Sequence, residues 1–193
     1  MNMAKYLGLL ASMTCATLVL VGSASADRLT SPTGTTYTGK ITALNYPGGM
    51  VGIHNSIVEI DCDMWLELTV ESHGAGKAAS GKVSNLSFTQ CTNSWHVTVS
   101  ASGLLLFDTT AGYDGTVRST GTKITATRIG VTCNYETTNT TFGTIEGGSP
   151  AVVYLEGSIP IASGSSALCG SGAAKMTGNL LVDVPRPLYV DNS

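Results

Sequence analysis

The sequence predicts an all-β fold: a single antiparallel β-sandwich or partly open barrel of about ten short strands, cross-linked by two disulfides. Three observations carry this. Apolar and polar residues alternate with period two in segment after segment, as strands with one buried face require. Glycine, 23 residues of it, together with abundant Ser and Thr, breaks those segments at regular turn signals. No stretch after the leader keeps a helical apolar period over about ten residues.

The leader is residues 1–26. Lys5, an apolar run from Tyr6 to Val21 broken by Thr14, Cys15 and Thr17, and the exit Ala24-Ser25-Ala26 have the form of a removable signal peptide. A transmembrane span needs about 20 apolar residues and is not expected here. Ser12-Met13-Thr14 lacks the aliphatic residue and small neighbour of a lipid-attachment site, so Cys15 is not read as an anchor. The expected location is secreted or periplasmic, with no transmembrane segment once the signal is removed.

Residues 27–35, with Pro32 and Gly34, read as a flexible lead-in, and residues 36–193 as one β-sandwich domain. Tyr37, Gly39, Ile41 and Ala43 alternate with Thr and Lys until Asn45-Tyr46-Pro47-Gly48-Gly49 breaks the strand. Ile57 to Ile60 and Met64 to Glu71 follow, with Trp65, Glu67, Thr69 and Glu71 on the wetter face. After Gly74-Ala75-Gly76, a strand starting at Gly81 sets Val83, Asn85, Ser87 and Thr89 against Leu86 and Phe88. Trp95, Val97 and Val99 form the next, and Leu104 to Phe107 a buried one.

Between Thr122 and Glu136 the apolar residues change phase, Ile124 and Ala126 against Ile129, Val131, Cys133 and Tyr135, which predicts a bulge or bend at Arg128 and Gly130. Phe142 to Glu146 and Ala151 to Leu155 flank Gly147-Gly148-Ser149-Pro150 as a β-hairpin. Ser163 to Ser166 is a polar loop. Lys175 to Val184 and Leu188 to Val190 are the last strands, and the intervening Pro185-Arg186-Pro187 suits a terminal edge strand.

Ten Lys and Arg, one of them Lys5 in the leader, stand against thirteen Asp and Glu. A net acidic chain without clustered cations is not built for nucleic acid or anionic membranes. Of five cysteines, Cys15 leaves with the leader; Cys62, Cys91, Cys133 and Cys169 remain, an even set in an oxidising compartment. Three pairings are open. Cys62 with Cys91 and Cys133 with Cys169 is the expected one, because each pair then lies within one half of the chain. No close Cys-x-x-Cys spacing suggests zinc.

Chemistry is sparse. His54, His73 and His96 are isolated from one another and from the cysteines. Asp61 and Asp63 point to one strand face around Cys62, with Glu59 nearby, but no Asp-x-Asp-x-Asp-Gly loop accompanies them, so a solvated acidic face is expected over calcium. Gly-x-Ser-x-Gly, a phosphate-binding loop and His-Glu-x-x-His are absent. No catalytic residue, metal or cofactor is therefore expected. Trp65, Trp95, Tyr46 and Tyr113 are the candidate surface for stacking sugars or holding an apolar ligand.

Gly130-Val131-Thr132-Cys133-Asn134-Tyr135, Gly143 to Ala151, Leu168-Cys169, Gly178-Asn179-Leu180 and Pro185 to Val190 succeed one another, with Ile60-Asp61-Cys62 and Ser87 to Cys91 before them, in an order that resembles a group of small secreted bacterial proteins. That group is similar to the exported activators of alkane oxidation. The resemblance implies a secreted β-fold with paired cysteines and transfers no catalytic residue. The expectation is an exported, non-enzymatic bacterial protein that works through its β-surface on envelope, matrix or protein partners, including itself through edge strands. The alternative is a binding or accessory module for hydrophobic substrates such as alkanes, or for glycans.

Overall fold

The computed structural model describes residues 27–31, 34–71, 78–110 and 112–191. The leader and His73 lie outside the described residues. Fifteen strands follow in chain order: β1 (Arg28–Thr30), β2 (Lys40–Asn45), β3 (Val51–His54), β4 (Glu59–Glu71), β5 (Ala79–Thr89), β6 (His96–Ala101), β7 (Leu104–Thr109), β8 (Gly115–Thr120), β9 (Lys123–Arg128), β10 (Val131–Glu136), β11 (Thr140–Glu146), β12 (Val152–Leu155), β13 (Ser158–Pro160), β14 (Ala173–Val184) and β15 (Tyr189–Asp191). The only helical elements among the described residues are two short 3-10 turns, Thr92–Ser94 and Ala167–Cys169.

Alternation builds a closed barrel. In β4, Ile60, Cys62, Met64, Leu66, Leu68 and Val70 are buried, and the residues between them, Trp65 included, face outward. Eight antiparallel strands run in the order β12-β11-β8-β7-β5-β4-β2-β14, and β12 pairs β14 to close the ring. Eight strands leave an interior just wide enough for side chains. Leu68, Phe107, Phe142, Leu155 and Leu180 fill it, leaving a void of about 30 Å³, lined almost wholly by carbon. The outer wall carries Lys40, Thr69, Lys82 and Thr144, all exposed, which is the polarity of a barrel that faces water.

Bulges adjust the wall at three places, one of them between Val182 and Val184 of β14 where it pairs β2. Between Glu67 and Leu68 of β4 the register on β5 skips Ser84, so Val83 and Leu86 both turn inward. The alternation alone had placed Val83 on the other face, and the extra residue is why it does not lie there. In β11 the register slips between Thr141 and Gly143. Gly143 has φ +155°, and a Cβ there would meet the Tyr154 carbonyl oxygen at 1.8 Å, so only glycine allows β12 to close on β11.

β4 and β14 run beyond the barrel. Their extensions pair with β3, and β14 also with β13, while β10, β9 and β6 form a separate three-stranded sheet. Ile53, Ile60, Ile159 and Met176 from the extensions, and Val97, Ile124, Ala126 and Tyr135 from the three-stranded sheet, are buried in a core continuous with the barrel's. At the junction, Ser119, Thr122 and Thr137 are buried and satisfy one another. Ser119 Oγ lies 2.8 Å from Thr122 Oγ1 and 3.0 Å from Thr137 Oγ1, and Thr122 Oγ1 donates to the Ser102 carbonyl at 2.8 Å.

Two expectations are corrected. The phase change near Arg128 is a tight hairpin: β9 and β10 pair with Arg128 opposite Val131, and Ile129-Gly130 is the two-residue turn, Gly130 at φ +76°. The lead-in is not free of structure, because β1 pairs β15 and Leu29 is wholly buried at the end of the barrel with Leu188 and Val190. A single Leu between polar residues carries no periodicity, so the sequence pattern passes over it.

The disulfides pair as expected, Cys62 with Cys91 and Cys133 with Cys169, at separations of 29 and 36 residues. On the chain-entropy model, closing loops of this length stabilises by about 3 to 4 kcal/mol each. Removing one pair, Cys133→Ala with Cys169→Ala, is therefore expected to lower unfolding free energy by about that amount, read as a lower urea midpoint.

Tyr135 is 1% exposed and its hydroxyl has no hydrogen-bond partner. Burial pushes its phenol up to about 12. An unfolded tyrosine ionises near 10, so between about 10 and 12 the unfolded chain binds fewer protons than the folded one and stability falls as pH rises. Tyr135→Phe removes a buried polar group that nothing satisfies. It is expected to raise stability by about 1 kcal/mol at neutral pH and to flatten the alkaline decline, both measured by urea titration.

Candidate functional site

The outer wall carries one unusual row. Register places Val152 of β12 opposite Leu181 of β14, Leu181 opposite Leu44 of β2, and Leu44 opposite Trp65 of β4. Four apolar side chains thus stand side by side on four adjacent strands, on a face that otherwise carries mostly polar residues, Leu104 and Leu106 of β7 being other apolar ones. Directly opposite residues in an antiparallel pair have Cβ atoms about 5 Å apart, so the row is a continuous strip. Glu146 continues it at one end and Ser87 at the other.

Tyr46 stands beside this strip because of the turn after β2. Pro47 and Gly48 occupy its central positions, Gly48 at φ +79°, and the Gly49 N–H donates to the Tyr46 carbonyl at 2.8 Å, a type II arrangement. Tyr46 N–H donates to the Asn179 carbonyl at 2.9 Å. Asn45 clamps the turn to β4: its Nδ2 donates to Asp63 Oδ1 at 2.9 Å and to the Gly49 carbonyl at 3.2 Å, and its Oδ1 accepts the Met64 N–H at 2.8 Å. Tyr46, 52% exposed, and Trp65, 38% exposed, then line one open groove of about 340 Å³ with Leu44, Asp63 and Thr89.

Of the four predicted aromatic residues, the structure brings together these two. Trp95 is half-buried and packs against the core. Tyr113 lies in the turn between β7 and β8 at the end capped by β15, where its ring sits 5.1 Å from that of Tyr189. The single surface expected from four aromatics is thus two separate places, since strand order sets neighbours that sequence spacing does not show. The strip of Leu44, Leu181 and Val152 was missed for the same reason: each looks like an ordinary strand residue until register aligns them.

The carboxylates are dispersed. Asp61 and Asp63 do share a face of β4, but His54 Nε2 sits 2.9 Å from Asp61 Oδ1 while Asp63 serves Asn45. Around the strip, Lys40 Nζ donates to Glu67 Oε1 at 2.8 Å and holds that carboxyl below its usual range. Tyr154 donates to Glu146 Oε2 at 2.8 Å, which raises the Tyr154 phenol, and Arg186 pairs Asp183 at 2.7 Å. His96 is exposed on β6. Among the described residues no three His, Cys, Asp or Glu side chains are placed to hold a metal. Nor is any helix among them long and apolar enough to cross a membrane.

Comparison of the chain with protein-family models, curated proteins and solved structures gave no match.

Asn45 carries the turn's geometry, so Asn45→Ala should leave the buried-strand Met64 N–H and Asp63 without their partner. A loss of about 1 to 3 kcal/mol is expected in urea unfolding, together with faster hydrogen exchange confined to residues 46–50 and 64.

Proposed function

We propose that this chain is an exported, non-enzymatic bacterial protein that works by non-covalent contact of its outer β-surface with envelope, matrix or protein partners. The observation that carries this reading is the contrast between a barrel filled by its own side chains and an outer wall bearing the Trp65-Leu44-Leu181-Val152 strip. Two disulfides support a life in an oxidising compartment, secreted or periplasmic. β6 adds a contact element: among the described strands it pairs only β9, and from Val97 to Ala101 it carries no charge that would deter another strand.

The second reading, an accessory for hydrophobic substrates of the alkane-activator kind, is favoured by the resemblance in sequence and by the same strip. Such a ligand would lie on the wall, because a void of about 30 Å³ is far below the roughly 150 Å³ that takes up benzene.

Sedimentation of the secreted protein with envelope fractions of its host tests the first reading. Co-sedimentation that falls at least about tenfold in a Trp65→Ala, Leu181→Ser double variant is the expected result. A protein that stays monomeric and binds neither intact cells nor envelope fractions would overturn it.

A further inference from the structure

We propose that the groove between Tyr46 and Trp65 binds a neutral saccharide, an inference that rests on the outer-surface function just described and names its ligand. Two aromatic rings border an open groove of about 340 Å³, within the size range of small-molecule sites, roughly 300 to 1,000 Å³. Between them stand hydrogen-bonding groups that the fold does not consume. Asp63 is engaged through Oδ1 alone, leaving its second oxygen to accept. The Thr89 hydroxyl, on the residue paired directly with Asp63, and the Tyr46 hydroxyl both line the groove and make no side-chain hydrogen bond among the described residues.

The lining selects among ligands. A carboxylate with no cation beside it in the groove opposes an anion. An alkyl chain would cover that carboxylate and the hydroxyls without replacing their water, which is costly. A sugar ring does neither: its C–H face rests on an aromatic ring, and its hydroxyls donate to Asp63 and exchange bonds with Thr89 and Tyr46. The platform is also held in place before binding. Asn45, the type II turn and the Tyr46 bond to Asn179 fix the loop that carries one ring, and β4 between β2 and β5 fixes the other. Little ordering then accompanies binding, so a shallow open site suffices for specific contact.

The chain's two tryptophans make the test direct. In NMR spectra of the secreted protein, the Trp65 indole N–H signal is assigned as the one missing from Trp65→Phe. Titration with neutral cello-, chito- and malto-oligosaccharides is expected to move this signal saturably with at least one of the three, leaving that of Trp95 in place. By calorimetry, Tyr46→Ala and Trp65→Ala each weaken binding about tenfold. Asp63→Asn, which keeps the oxygen that Asn45 uses, weakens it several-fold with unchanged thermal unfolding.

The inference is overturned if none of the oligosaccharides moves the Trp65 signal, or if binding persists undiminished in Tyr46→Ala and Trp65→Ala. It is also overturned if an octyl glucoside binds through its chain while glucose oligomers do not. Failure with saccharides while envelope binding still depends on Trp65 removes the saccharide alone; failure of both removes the outer-surface function as well.

Discussion

Two strands hold this molecule together. β4 pairs β3 through Glu59 to Cys62, then β2 and β5 as it continues to Glu71. β14 pairs β13 and β3 through Ala173 to Thr177, then β12 and β2 to Val184. Each strand is thus a wall of the barrel in one half and part of the flanking sheet in the other, and neither half can detach without breaking a continuous ladder. Gly178 marks the changeover in β14: at φ +141°, with the Met50 carbonyl 2.9 Å from where a Cβ would stand, the chain leaves one partner and meets the next.

The covalent links fall where the ladder is weakest. A closed barrel has no edges and needs no staple. The three-stranded sheet is another matter, since few strands with short pairings are marginal alone. Cys133–Cys169 ties β10 of that sheet to the turn before β14, and Cys62–Cys91 ties β4 to the segment leading into β6. Each bridge fastens one margin of the three-stranded sheet to one of the two shared strands. The segment 161–166 covers the β10 margin as well, through Ala162 N–H to the Asn134 carbonyl and Ser166 N–H to the Thr132 carbonyl. β6 is left as the open margin.

What the sequence made legible is what depends on near neighbours. Alternation along β4 put Trp65 on the wet face with Glu67 and Thr69, and Gly147-Gly148-Ser149-Pro150 marked the turn between β11 and β12. Proximity in the chain also favoured the right cysteine pairs. What it hid depends on partners distant in sequence. Ser84 is a bulge only because β4 lies opposite it, Leu29 is a core residue only because β15 receives it, and Leu44, Leu181 and Val152 form a strip only through three registers at once. The candidate site was half legible for that reason. Tyr46 and Trp65 were singled out as exposed aromatics, but nothing short of strand order separates them from Trp95 and Tyr113.

The filled interior and the decorated wall are linked by one constraint. In a barrel of eight strands the inward side chains fill the interior down to a void of about 30 Å³, so Phe107 or Phe142 cannot be exchanged for a ligand without leaving a cavity or a clash. Outward positions carry no such debt to their neighbours: a Leu at position 181 or a Trp at position 65 changes what the wall meets, not whether the barrel closes. Such a scaffold tolerates change on the outside, where side chains vary over a backbone that the core holds rigid. Asn45 shows how the two are joined. Its side chain bonds the Gly49 carbonyl of the turn, Asp63 and the Met64 N–H of β4, and so converts the stiffness of β4 into a fixed position for Tyr46.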